Sequence, residues 1–289
     1  MWVDRAGRKI GTVAEQDQFS NPALSPDGKQ LAVAVGDVGA KLRDIWVYDL
    51  VRGGRRRLTV HPADESNPTW SPDGRYIAFS SNRRGKRDIY RKLASGLGED
   101  ELLYASTSED KNVESWSPVG RLLWFNFADT KTQNDIYQFS FEDRKITKYI
   151  STPFTDDHPQ LSPDGQTLAY RSSESGREEV YLQPYPATGE RWQVSTAGGN
   201  EPQWRGDGKE LYFLSRNALT AVDIKASGKK VEIGIPHALF ETGPTPRAIR
   251  NNYAAVRDGQ KFLLVTVPEG QQAIAFDTIV NWPELIRGK

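Results

Sequence analysis

Ser-Pro-Asp-Gly occurs three times, at Ser25–Gly28, Ser71–Gly74 and Ser162–Gly165. Degenerate copies stand at Ser117–Gly120 (SPVG), Arg205–Gly208 (RGDG) and Val256–Gly259 (VRDG), so the starts are 46, 46, 45, 43 and 51 residues apart. A turn signal recurring at that interval marks a repeat architecture. Six units spread over 289 residues occupy about 48 each, and account for nearly the whole chain. Proline fixes φ, aspartate bonds its own backbone and glycine takes positive φ, so the motif is turn chemistry before it is anything else.

The flanks of the motif read as strands. Three residues before it stand Pro22, Pro68, Glu114, Pro159, Pro202 and Tyr253. A proline there suits the first residue of a strand at a sheet edge. Six residues past each motif start lie Leu31, Ile77, Leu123, Leu168, Leu211 and Phe262, and eight past it Val33, Phe79, Phe125, Tyr170, Phe213 and Leu264. The residues between them (Ala32, Ala78, Trp124, Ala169, Tyr212, Leu263) are apolar or aromatic too, which predicts a second strand buried on both faces. A third strand follows an acidic residue in four units, at Asp44-Ile45-Trp46, Asp88-Ile89-Tyr90, Asp135-Ile136-Tyr137 and Glu179-Val180-Tyr181. A weaker fourth ends in segments such as Arg57-Leu58-Thr59 and Trp192-Gln193-Val194.

Four short antiparallel strands repeated six times predict an all-β, six-bladed β-propeller, read as a single domain over 1–289. Trp2-Val3-Asp4 through Gly11-Thr12-Val13 aligns with strands three and four, while the unit from Tyr253 supplies strands one and two. The ring is thus expected to close with strands from both chain ends, which protects terminal edges. Thr278–Trp282 is an extra strand candidate without a settled place.

Lys+Arg and Asp+Glu are both 38, giving no global attraction to nucleic acid or anionic membrane. Cysteine is absent, which excludes disulfides, thiolate metal sites and cysteine catalysis. No apolar run approaches the roughly 18 residues of a membrane span. Met1-Trp2-Val3 opens directly onto a strand with no signal-peptide pattern, so the chain is expected to be cytosolic or to lack an upstream targeting segment. Gly-x-Ser-x-Gly, the elbow of a serine hydrolase, does not occur, and Gly96-Leu97-Gly98 extends to no phosphate-binding fingerprint.

Pro68-Thr69-Trp70-Ser71-Pro72-Asp73-Gly74, followed by Ile77-Ala78-Phe79-Ser80 and Asp88-Ile89-Tyr90, resembles the WD40-like (PD40) repeat of TolB-type propellers. Units one to four carry the pattern well; five and six depart at the turn and lack the acidic-Ile-Tyr signature. The opening WVDRAGRKIGTV, Ser195–Trp204 and the closing TIVNW further resemble propellers attached to bacterial receptor-type Ser/Thr protein kinases. The resemblance implies a sensor or interaction module, outside the cytoplasmic membrane in many relatives. Six units leave no room for the N-terminal α/β domain of TolB, and no kinase motif is present.

The loops into strand one converge on the central channel of such a fold. Five residues before the motif stand Ser20, Ser66, Asn112, Asp157, Asn200 and Asn251, polar in every unit. Four before it stand Asn21, Asn67, Val113, His158, Glu201 and Asn252. All but Val113 form the candidate binding ring, for a polar small molecule or a peptide end, although loop capping and channel waters would call for the same polarity. The recurring acids Asp44, Asp88, Asp135 and Glu179, and the turn acids Asp27, Asp73 and Asp164, read as structural. His61, His158 and His237 are scattered, and Asp156-Asp157-His158 is the one cluster to test for a cation. The basic runs Arg55–Arg57 and Arg83–Arg87 fall between strands, on solvated turns or as an anion site.

The leading expectation is a monomeric, non-catalytic module binding a protein or peptide on one propeller face, with no cofactor and no resident metal. The alternative is a channel-mouth enzyme, such as a metal-assisted lyase or hydrolase on a sugar or peptide.

Overall fold

The computed structural model describes residues 1–13, 18–37, 42–107, 109–129, 133–227, 230–243 and 251–266. These form six small antiparallel sheets in a ring, a six-bladed β-propeller without a helix among the described residues. The innermost strands are Phe19–Leu24, Glu65–Trp70, Lys111–Trp116, Asp156–Leu161, Asn200–Trp204 and Tyr253–Ala255. Units one to four are simple four-stranded meanders. The sixth blade joins Tyr253–Ala255 and Lys261–Leu264 to Trp2–Asp4 and Lys9–Gly11, so both chain ends do close the ring. The Met1 ammonium donates to Leu264 O at 2.8 Å, and Arg5 reaches Glu210, Tyr212 Oη and Gly259 O, tying that closure to blade five. The strand candidate at Thr278–Trp282 lies outside the described residues.

The double-sided second strand explains why the blades stack. Residues six and eight past the motif start face the preceding blade, and the residue between them faces the next. Ile77 and Phe79 thus pack with Ala32 and Val47 of blade one, while Ala78 packs with Val113 and Phe125 of blade three. Trp124 likewise enters the cluster between blades three and four, and Tyr212 the one between five and six. Six apolar clusters fill the six seams, Leu31, Val33, Ala254 and Leu263 closing the last one. The core is therefore a circle of interblade layers, its driving force the apolar area each seam removes from water.

At the turns, glycine six times donates its N–H to the C=O three residues earlier, at 2.8–2.9 Å. In blades one, two and four the serine hydroxyl donates to the aspartate at 2.5–2.6 Å and accepts the N–H five residues on at 2.9 Å. The turn aspartates are structural, as their repetition predicts, and the serine bond holds the Asp27 and Asp73 carboxyls below their ordinary range. Blade five rebuilds the clasp with Arg205, whose Nε meets Asp207 at 2.7 Å. Blade three has Val119 there, 67% exposed, and no carboxylate.

Three details differ from the sequence reading. The prolines stand inside strand one rather than at its first residue, because the strand begins two or three residues earlier. The outer strands stop sooner, at Arg57 and Gln193, and the N-terminal one at Gly11. Blade five does have a third strand, Ala218–Ser227, which pairs outward with both Lys230–Ile233 and His237–Glu241. It starts from a two-residue hairpin instead of an acidic residue, so the signature search passed over it.

Candidate functional site

Every innermost strand except the short closing one carries a register shift at one place, just before its mid-point. Asn21, Asn67, His158 and Glu201 sit there at φ of 51–55°, each directly before proline. Proline has no N–H to give the ladder, so a bulge costs least at that position. A left-handed non-glycine residue is uncommon, and four at equivalent places mark a site held by its surroundings. Units three and six lack the proline, and neither Val113 nor Asn252 adopts positive φ.

The bulge brings these residues together around the axis in two unlike arcs. On one side Asn21 Nδ2 donates to Asn67 Oδ1 at 2.9 Å, and the Asn251 N–H donates to Asn21 Oδ1 at 3.1 Å. This arc is uncharged. Asn67 Nδ2 and Asn252 Oδ1 are buried with no hydrogen-bond partner. Unpaired buried amide atoms are costly, and such atoms call for a water or a ligand group.

The other arc is ionisable. Asp157 accepts Arg171 Nε at 2.6 Å and Nη2 at 2.5 Å, Asn134 Nδ2 at 2.9 Å, and lies 2.8 Å from His158 Nδ1. Glu201 accepts the Asn252 N–H at 2.6 Å and Asn252 Nδ2 at 2.5 Å. Burial opposes charge on His158, but the Asp157 and Glu114 carboxylates outweigh it and hold the imidazole above its ordinary value. Burial pushes Glu201 up to about 7, with His158, the Asn252 bonds and Arg171 pulling the other way. The arc therefore joins blades three to six through a proton-sensitive pair, Glu201 and His158.

The sequence candidates do not all belong to this ring. Asn21, Asn67, His158, Glu201, Asn251 and Asn252 link neighbouring blades. Ser20 bonds Ala34 O in its own blade at 3.5 Å, Asn112 bonds Asn126 at 3.1 Å, and Asn200 Oδ1 accepts the Glu201 N–H at 2.8 Å. Ser66 is buried in strand one, and Asp157 anchors Arg171 and His158 and also links to blade three through Asn134. The ring is also deeper than a solvated mouth: Asn21 is 1% exposed, Glu201 2% and His158 5%. At Asp156-Asp157-His158 a guanidinium holds the Asp157 carboxylate and Thr152 bonds Asp156 Oδ2 at 2.6 Å, while Asp156 Oδ1 is buried without a hydrogen-bond partner; no group of three metal-ligating side chains gathers among the described residues. His61 and His237 are exposed.

The acids before strand three divide. Asp88 accepts the Ser106 N–H at 3.3 Å and Glu179 the Gly198 N–H at 3.1 Å, as expected of turn ligands. Asp44 and Asp135 instead pair with Arg57 and Lys148 of strand four, at 2.7 and 2.8 Å.

Sequence reasoning missed Glu114, Asn126 and Arg171. A signal for the last two exists nine residues past the motif start, where Ser80, Asn126 and Arg171 replace the apolar Ala34, Leu214 and Val265. Each serves the ring from behind: Ser80 Oγ accepts the Val113 N–H at 2.9 Å, and Asn126 Nδ2 donates to Glu114 at 2.8 Å.

Comparison with known proteins agrees with this architecture. Residues 5–123 match the family profile of the TolB β-propeller domain, PD40. It is 26% identical over 155 residues to the Tol-Pal system protein TolB of Francisella tularensis, covering 53% of this chain and 35% of that protein. It is 27% identical to Dipeptidyl-peptidase 5 of Porphyromonas gingivalis, over 68% of this chain and 44% of that one. The chain thus spans about a third of the length of the TolB relatives it matches. A candidate TolB from Agrobacterium tumefaciens superposes with a TM-score of 0.68 at 20% identity, covering 92% of this chain and 97% of that one, a likeness of fold.

Proposed function

We propose that the chain is a non-catalytic binding module, the sensor or protein-interaction part of a larger bacterial envelope protein, acting outside the cytoplasm. The observation that carries this reading is the central ring with its two unpartnered buried amide atoms, Asn67 Nδ2 and Asn252 Oδ1. Unpaired side-chain amides in such a ring suit the end of a polypeptide segment, whose backbone donors and acceptors complement them. The Tol-Pal name of the relatives supports a protein partner. The propeller is taken as one domain across the chain, working as a monomer. The kinase-linked resemblance of its termini is consistent with attachment to a longer polypeptide, and the reading frame upstream of Met1 checks that attachment. No helix among the described residues is long and apolar enough to cross a membrane.

The test is hydrogen exchange on the chain with and without a peptide selected by display against it. Added protection is expected at 20–21, 66–67, 157–158, 200–201 and 251–252. Protection confined to the outer strands contradicts the reading. The enzymatic alternative has one observation behind it, a buried carboxyl poised near neutrality at Glu201. Turnover of a peptide or sugar that is abolished by Glu201→Gln would replace the binding reading.

A further inference from the structure

The basic run Arg83-Arg84-Gly85-Lys86-Arg87 is not one solvated patch. It forms the hairpin between strands two and three of blade two, turning at Gly85 with φ 101°. Alternation sends its cations to different places. Arg83 turns inward, pairs with Glu65 and, at 2.8 Å, with Asp100, and lies 4.3 Å over the Tyr90 ring. Arg87 reaches Asp64 at 2.8 Å through Nη2, but Asp64 is already gripped at both oxygens by Arg43 at 2.7 Å. Arg87 Nε stays buried without an acceptor.

The outer pair is less engaged. The Arg84 side chain is 57% exposed and stands 3.8 Å from Asp88, too long for a hydrogen bond. Lys86 is exposed and has no ion pair among the described residues. Together with Ser106, Thr107 and Asp110 of the loop into blade three, these residues line a cavity of about 590 Å³.

Each of the two carboxylates in that cavity is held at one oxygen. Asp88 Oδ1 takes Lys111 Nζ at 3.1 Å and the Ser106 N–H, and Asp110 Oδ1 accepts the Arg87 backbone N–H at 2.8 Å. Arg84, Lys86 and Arg87 outnumber these two carboxylates on the lining, in a chain whose formal net charge is zero. We infer that this seam between blades two and three binds a small polyanionic solute, a phosphate ester or a di- or tricarboxylate. Its oxygens accept from the exposed Arg84 and Lys86. The volume lies in the range of small-molecule sites. By the meander topology it shares the face onto which the loops into strand one open, yet none of its lining residues belongs to the central ring. It therefore holds or fails independently of the ring's function.

Inorganic phosphate and citrate are the probes, titrated calorimetrically into the full chain in low-salt buffer at neutral pH. Saturable binding of at least one is expected, weakening tenfold or more when sodium chloride brings the Debye length below about 8 Å. Arg84→Ser/Lys86→Ser should abolish it without moving the melting temperature, since neither side chain supports the core. Citrate binding alone assigns the site to carboxylates, and phosphate binding alone to phosphoryl groups. Absence of saturable binding by both at millimolar concentration overturns the inference, as does binding that survives the double substitution.

Discussion

The two ends of the innermost strands are built on opposite plans. At the turn end, six blades repeat one device, the glycine N–H bond, and three of them share the same serine–aspartate clasp. At the channel end, no two neighbouring pairs use the same chemistry: amide to amide between blades one and two, carboxylate to amide between five and six, a buried guanidinium and imidazole in blade four. Repetition here specifies the fold, because every blade must solve the same packing problem. Departure from repetition concentrates at the channel end, where the six blades face one another around the axis.

The largest effect should come from splitting the ionic arc. Arg171→Met leaves Asp157 buried beside His158 without its guanidinium, and removing one partner of a buried pair costs about 3–5 kcal/mol. Urea unfolding reads this directly, and a loss under 1 kcal/mol would show that the arc is not a structural unit.

Next is a pH dependence located in the same arc. Glu201 has a folded pKa of about 7 against 4.5 unfolded, so between those values the folded chain binds the extra proton. Stability should fall as pH rises through that window, by roughly 3 kcal/mol at most if the whole shift is expressed. His158 acts in the same direction, since its raised value contributes stability below 6.5 that is lost as pH climbs through the folded pKa. Melting curves from pH 5 to 8 should therefore decline for the wild type and flatten for Glu201→Gln. An equal slope in both would remove Glu201 from the account.

Smaller effects belong to the turn end. Ser71→Ala deletes the bond to Asp73 and the acceptor of the Tyr76 N–H, and should cost about 1 kcal/mol. Val119→Asp supplies blade three with the missing carboxylate and removes an exposed apolar side chain. A gain of about 0.5–1 kcal/mol is expected in denaturant titration. A loss would mean that blade three has settled on a different turn, one built around the Trp116–Phe141 stack, with ring centroids 4.7 Å apart.

The contrast also explains what the sequence made legible. Periodic features were readable because they recur: the turns, the double-sided second strand and the closing of the ring by both ends. The ring was half readable. Counting back from Ser25, Ser71 and Ser162 reaches Asn21, Asn67 and His158 with the same weight as Ser20 and Ser66, while Ser20 and Asn112 bond within their own blades. The side-chain direction at these places is set by a bulge, and a bulge changes register without changing composition. Arg171 escaped because its significance lies in replacing an apolar residue in a strand that otherwise looked like core.

The division of labour between the two ends is tested most directly by measuring the affinity of one display-selected peptide for three proteins. These are the wild type, the ring variant Asn67→Ala/Asn252→Ala and the turn variant Asp73→Ala. The account predicts at least a tenfold weaker complex for the ring variant, about 1.4 kcal/mol, and an unchanged one for the less stable turn variant. Affinity that follows stability, or that is lost at the turn and kept at the ring, would contradict it.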